Sequence, residues 1–167
     1  RADFGTSFID SSVQCQQTYS YRIAAFGKGD GELALSDTVT GTAFDNTPPD
    51  KPDLHRASVL NTDDVNGQIE LLFQGSPQDN LRGYTVYRAG KKDSFQSVDN
   101  FQAKGVEDLI YLDELVNTDS SAQGYYLTAY DGCDNISSPS DTHRTINLLA
   151  NPENGYIQLK WNSYFGW

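Results

Sequence analysis

Segments of this chain recur at fixed distances, and that repetition constrains the fold more than any other feature. Phe8-Ile9-Asp10-Ser11-Ser12-Val13 is answered 103 residues later by Tyr111-Leu112-Asp113-Glu114-Leu115-Val116. Both read aromatic, aliphatic, Asp, two free positions, Val. Tyr21, Ile23, Ala25 and Phe26 are answered by Tyr125, Leu127, Ala129 and Tyr130, and Ser36-Asp37-Thr38 by Ser140-Asp141-Thr142, both at an offset of 104. A second register relates Gly67–Phe73 to Gly155–Trp161 at an offset of 88. The chain therefore samples repeats of about 90–100 residues at different phases. Residues 1–46 are expected to be the C-terminal half of one repeat, 47–52 a Pro-rich linker, 53–148 a complete repeat and 149–167 the start of a third. The absence of Met and the start at Arg1 add the expectation that the chain is a piece of something longer.

The repeating unit is built of strands. No apolar spacing at helical period is sustained, whereas short alternating runs are frequent. Tyr19/Tyr21/Ile23/Ala25, Ile69/Leu71/Phe73, Tyr84/Val86 and Tyr125/Leu127/Ala129 each fall on one face. Gly, Asn, Asp, Ser and Pro clusters separate these runs, the pattern of an antiparallel sandwich or barrel. In Thr47-Pro48-Pro49-Asp50-Lys51-Pro52 the prolines remove ladder donors and stiffen the chain. Hydrophobic content is 37%, carried by large residues that include 10 Tyr and 8 Phe. With 12 Lys+Arg against 23 Asp+Glu the net charge is −11, which argues against nucleic acid and against an anionic membrane as partners. No apolar run approaches the roughly 20 residues of a spanning helix.

The order of these runs resembles tandem fibronectin type III domains. Gly67–Phe73 looks like the family's strand B, with Phe73 where Trp is usual, and Trp161 takes that place in the third repeat. Leu81–Arg88, with Gly-Tyr-x-Val-Tyr-Arg, looks like strand C; Phe8–Val13 and Tyr111–Val116 look like strand E; Tyr19–Phe26 and Gln123–Tyr130 look like strand F. Tyr19 falls where the family has its tyrosine corner, and Gln123 stands at that place in the second repeat. The resemblance implies an all-β fold of immunoglobulin-like (fibronectin type III) β-sandwich repeats, one complete and two partial. The acidic repeats with Tyr-Leu-Asp-x-x-Val and Ala-Tyr-Asp-Gly-Cys-Asp-Asn also resemble those of large surface or secreted proteins of Bacteroidetes, the gliding-motility-associated, type IX secreted kind.

That placement gives the two cysteines meaning. Cys15 precedes strand F of the first repeat and Cys133 follows strand F of the second. The ends of such a strand lie roughly 26 Å apart, beyond disulfide reach within one domain. In a head-to-tail tandem the two ends face each other, so Cys15 and Cys133 are the candidate disulfide, an inter-domain bridge fixing the angle between repeats; two unpaired thiols are the alternative. The bridge fits an oxidising compartment.

No catalytic constellation is found. His55 and His143 are not at metal-ligand spacing and read as surface or strand-end residues; Cys133 has no nearby base. Thr62–Gly67 resembles part of a calcium loop, but Thr62 and Phe73 would occupy positions that require carboxylates. It reads as a turn with Asn66-Gly67 supplying backbone freedom. Asp131–Asn135 reads as a turn, with a weak cation site as the alternative. Lys28-Gly29-Asp30 lies where the family's adhesive Arg-Gly-Asp sits and is taken as coincidence; Asn135-Ile136-Ser137 and Asp37-Thr38-Val39 match glycosylation patterns. Tyr125, Tyr126, Trp161, Tyr164, Phe165 and Trp167 invite sugar stacking, while alternation places Tyr125 in the core and Tyr126 on the sheet face. The expectation is a non-catalytic spacer or adhesion module of a multidomain extracellular or cell-surface bacterial protein, without cofactor or metal. Its binding residues are unknown, and its partners are the neighbouring repeats. The alternative is a carbohydrate-binding or accessory module of a secreted polysaccharide-degrading enzyme. The uncovered face of residues 1–46 further predicts self-association, or packing of this half on the second repeat.

Overall fold

The computed structural model describes residues 6–27, 31–90, 94–103, 105 and 107–166. These form strands and loops, with no helix among them. The chain divides into two compact units between Thr47 and Pro48. Lys28-Gly29-Asp30 and Trp167 lie outside the described residues.

The N-terminal unit holds four short strands: β1 (Thr18–Tyr21), β2 (Ala24–Phe26), β3 (Glu32–Leu35) and β4 (Val39–Thr42). β1 pairs with β4, placing Tyr19 opposite Gly41 and Tyr21 opposite Val39; β2 pairs with β3, placing Ala25 opposite Ala34. Two expectations change. Tyr19–Phe26 is not one strand but is interrupted at Arg22 and Ile23. There Ser36 enters the ladder: its Oγ accepts from Ile23 N at 2.9 Å and its N–H donates to Ile23 O at 2.9 Å. The hydroxyl supplies the acceptor that a ladder carbonyl would otherwise give the Ile23 N–H. Phe8–Val13 is not a strand either; no ladder partner for it exists among the described residues, and Phe8 and Ile9 are 86% and 87% exposed.

The second unit contains two sheets. Strands β5 (Asp53–Asn61), β6 (Gly67–Gln74) and β9 (Asp108–Val116) form one, in the order β5-β6-β9. Strands β7 (Leu81–Ala89), β8 (Gln96–Phe101), β10 (Gly124–Asp131) and β11 (His143–Arg144) form the other, in the order β11-β10-β7-β8. Every pairing is antiparallel. The inward residues of both sheets meet in one core: Leu54, Ala57, Ile69, Leu71, Phe73, Leu81, Tyr84, Val86, Val116, Tyr125, Leu127 and Ala129. All the second-unit positions singled out by alternation are fully buried. Each large apolar side chain contributes about 1.5–3 kcal/mol on burial. Phe73 meets Tyr84 and Phe101 edge-on, with centroids at 5.0 and 6.0 Å.

The proline-rich stretch is fastened to this sandwich. Pro49 and Pro52 are buried, Asp50 N donates to Gln78 Oε1, and Lys51 pairs with Asp141 at 3.3 Å. At the other end, β12 (Leu148–Glu153) and β13 (Tyr156–Trp161) make a hairpin turned at Gly155, whose φ of 88° lies in the left-handed region. Beyond it Phe165 bridges back to Arg144.

Candidate functional site

A buried polar cluster crosses the sandwich. The repeat motif Tyr111-Leu112-Asp113 places Asp113 on the inner face of β9, opposite Ile69. Asp113 is 5% exposed. Its Oδ2 accepts from Arg88 Nη1 on β7 and from the Tyr125 hydroxyl on β10, each at 2.7 Å. One oxygen thus ties β9 of the first sheet to two strands of the second. Burial opposes charge on Arg88, but the adjacent Asp113 carboxylate outweighs it and raises the guanidinium pKa further. Burial, with the Asp113 charge, pushes the Tyr125 hydroxyl far up. Beside the cluster, burial and the Asp99 carboxylate also raise Tyr111. What the cluster supplies is cross-linking between the two sheets.

The N-terminal unit repeats part of this device. Tyr21, the counterpart of Tyr125, donates from its hydroxyl to Asp10 Oδ2 at 3.0 Å, and Asp10 is the counterpart of Asp113. Asp10 Oδ1 accepts from Ser12 Oγ and N at 2.6 and 3.0 Å, hydrogen bonds that lower its pKa. The serine device recurs as well: Ser140 Oγ accepts from Leu127 N at 3.0 Å and Ser140 N donates to Leu127 O at 2.8 Å, as Ser36 does with Ile23. The 103- and 104-residue registers of the sequence are therefore registers of contacts.

The tyrosine corner takes two forms. Tyr19 OH accepts from Gln14 N at 2.8 Å. Gln123, at the same place in the second unit, donates from Nε2 to Asn117 O at 2.9 Å and Ser121 O at 3.2 Å. An amide there also anchors the preceding chain, from the donor side.

The cysteines sit in tight turns of their own units. Cys15 precedes Gln16, whose φ is 61°, and the Gln16 N–H is held by Ala43 O. Cys133 precedes Asp134, whose φ is 64°. Asp131 shapes that turn: its Oδ1 accepts from Cys133 N and Asn135 N at 2.8 and 2.9 Å, and its Oδ2 from Asn135 Nδ2 at 3.0 Å and Asn80 Nδ2 at 3.3 Å. Burial opposes its ionisation, but the donors from Asn135 and Cys133 prevail and lower its pKa. Among the described residues no cysteine is a free thiol.

The Asp63 turn is similar. Asp63 Oδ1 accepts from Asn66 N and Val65 N at 2.7 and 2.8 Å, which lowers its pKa. Thr118 fastens the turn to the end of β9, its Oγ1 donating to Asn61 O and receiving Asp63 N. Gly67 is not in the left-handed region; it is required because a Cβ there would lie 2.2 Å from Thr118 Oγ1 and 2.4 Å from Val116 O. In both acidic turns one carboxylate oxygen holds backbone amides of its own turn, and in the Asp131 turn the other takes the side-chain amides of Asn135 and Asn80.

His143 does open a strand, β11, but is interior rather than at the surface: it is 2% exposed, and its Nδ1 lies 2.7 Å from the Tyr164 hydroxyl, which also accepts from Ala57 N. Burial lowers its pKa. His55 stands on β5 beside Asp53 and Asp108. Tyr164 is therefore a half-buried fastener, while Trp161 and Phe165 are 65% and 63% exposed. On the outer face of the four-stranded sheet Tyr126 stacks on Tyr87 at 4.5 Å and meets Phe95 at 4.8 Å. Those rings spend much of their surface on each other.

No family model matches the chain, and no curated protein matches it. Among solved structures it is similar to the FN1–FN3 domains of chicken CNTN1, with 18% identity and a TM-score of 0.53 over 83% of this chain and 45% of that one. Weaker likenesses are to domains A168–A170 of titin (14% identity, TM-score 0.47, 78% of this chain and 41% of that one) and a beta-1,2-glucanase from Parabacteroides distasonis (20%, 0.42, 70% and 16%). The chain spans less than half the length of the chicken chain it matches. At this identity the likeness shows the fold: an all-β, immunoglobulin-like arrangement of the fibronectin type III kind.

Proposed function

We propose that the chain is a non-catalytic spacer or adhesion module of a multidomain extracellular bacterial protein. One observation carries this reading: what the two units share is fold-maintaining. The Tyr–Asp contact and the serine in the ladder recur at matching positions. The titratable groups around them are spent on strands and turns. Sequence resemblance to repeats of Bacteroidetes surface and secreted proteins supports the extracellular setting. The negative net charge keeps such an array soluble and self-repelling.

Within this reading Cys15 and Cys133 bridge the two units and restrict the joint between them. Support comes from the absence of a free thiol among the described residues and from the position of each cysteine in a tight turn of a different unit. Intact mass after alkylation of the denatured, unreduced chain tests this: no label is expected before reduction and two labels after it. Two labels without reductant would exclude the bridge.

A glycan array and a polysaccharide-hydrolase screen test the functional class. Neither binding nor turnover is expected. Saturable glycan binding lost on Tyr126→Ala would replace the spacer reading with that of a carbohydrate-binding module.

A further inference from the structure

We propose that residues 162–166 are a latch that locks the start of the third repeat onto the second, and that uptake of a proton by His143 releases it. The proposal rests on the spacer reading and deepens it by naming how a second joint is held and what loosens it.

The latch is seated on both sheets. The Tyr164 hydroxyl lies 3.1 Å from Ala57 N on β5 and 2.7 Å from His143 Nδ1 on β11, one strand of each sheet. Phe165 O accepts from Arg144 N at 3.0 Å. Asn162 accepts at Oδ1 from Asn147 N at 2.8 Å and donates from Nδ2 to Thr145 O at 3.0 Å. Gly166 closes over the imidazole: its φ is 136°, and a Cβ there would lie 2.4 Å from His143 Nδ1. The hairpin of β12 and β13 that leads into the latch is, by contrast, exposed along its whole length. The devices at the two joints also differ position by position. Asp119 and His143 stand where the first repeat has Cys15 and Val39, at the 104-residue offset, and Tyr164 stands where the second repeat has Ser76, at the 88-residue offset. The joint that has the cysteine therefore lacks the His–Tyr pair, and the joint that has the pair lacks the cysteine. At Asp119 the chain is tied to the latch instead, its carbonyl accepting from Asn147 Nδ2 at 2.8 Å while Asn147 N meets Asn162.

The chemistry of release follows from the same contacts. The Ala57 N–H donates to the phenol oxygen of Tyr164, which leaves the phenol hydrogen to meet His143 Nδ1 as its acceptor. A proton taken up at Nδ1 removes that acceptor and puts a charge on a side chain that is 2% exposed. Burial opposes this proton, and His55 on β5 adds to the opposition; Asp141 before β11 and Asp53 on β5 favour it, and burial prevails. Of the other charged groups here, Lys51 pairs with Asp141, Asp108 lies beside His55, and Arg56 acts on Tyr164. The latched state therefore disfavours the charged imidazole. The latch is fully held above the ordinary histidine value of 6.5 and loosens as pH falls below it.

The test is residue-resolved amide exchange on the full chain, expressed as protection relative to intrinsic rates. Ala57, Arg144 and Asn147, whose N–H groups the latch accepts, are expected to open together and to be less protected than Leu127 in the core. From about pH 7.5 to about pH 5.5 their protection falls about tenfold, the effect of one proton over the pH unit below 6.5. His143→Gln keeps an acceptor but takes up no proton, and abolishes that fall. Asn162→Ala, a change outside the core, lowers protection at Ala57 and Arg144 as well as at Asn147, at both pH values. Protection of the three amides equal to that of Leu127, no fall in the parent, a fall that persists in His143→Gln, or an effect of Asn162→Ala confined to Asn147 would each overturn the proposal. Thiol labelling and the glycan and hydrolase screens do not depend on these amides, so that failure is distinguishable from failure of the spacer reading.

Discussion

Replacing Asp113 with Leu removes the acceptor that joins the two sheets. The Asp113 side chain is 7% exposed and that of Arg88 29%. Breaking a buried ion pair from one side costs about 3–5 kcal/mol, because the remaining charge is left uncompensated. Arg88 reaches water in part, which brings that cost toward the lower figure. The buried Tyr125 hydroxyl loses its acceptor at the same time, adding about 1 kcal/mol. The single variant is therefore expected to lose about 4 kcal/mol. With a urea slope near 2 kcal/mol/M, the midpoint of unfolding followed by far-ultraviolet circular dichroism falls by about 2 M. Tyr125→Phe alone removes one charge-assisted bond and costs about 1.5 kcal/mol. The triple variant Arg88→Met, Asp113→Leu, Tyr125→Phe leaves no orphaned polar group and is expected within about 1 kcal/mol of the parent. A triple variant as unstable as Asp113→Leu would refute the view that the penalty comes from stranded partners. A near-neutral single variant would refute the central place of the carboxylate.

Further consequences follow from individual contacts. Gly67→Ala drives a methyl group into Thr118 and the Val116 carbonyl and should cost about 3 kcal/mol by urea denaturation. Ser140→Ala strands the buried Leu127 N–H and should cost about 2 kcal/mol, whereas Ser36→Ala, at the exposed counterpart, should cost less than about 0.5 kcal/mol. Because the folded pKa of His143 is depressed, its contribution is fully present above its ordinary value of 6.5 and is lost as pH falls below it, when the unfolded chain takes up the proton first. Stability measured across that window should fall, and His143→Phe should flatten the slope. The depressed Asp131 carboxylate acts lower, its contribution being present above the ordinary 3.8 and lost as pH falls further.

Much of the fold was legible in the sequence because strand burial has a period of two. Ile69, Leu71, Phe73, Tyr84, Val86, Tyr125, Leu127 and Ala129 announce an inner face from local pattern alone, and they are the core. The repeat also marked Asp10, Asp113, Ser36 and Ser140, but not their tasks, since each task depends on a partner remote in sequence. Asp113 needs Arg88 on another sheet, and Ser140 needs the Leu127 amide. The burial of His143 was missed for the same reason, its covering Tyr164 lying 21 residues away. Phe8–Val13 carries the same motif as Tyr111–Val116 without becoming a strand, because a ladder requires a neighbour as well as a pattern. Gly67 was recognised as necessary, but the reason lies in Thr118 and not in a turn conformation.

The proposal that the units form a bridged spacer meets its most direct test in single-molecule pulling from the two termini. The segment from Cys15 to Cys133 comprises 118 peptide steps. Fully extended it contributes about 400 Å. A bridged chain withholds that length until a reductant is added, and then releases it. Release of the full length without reductant would contradict the bridge and the fixed joint with it.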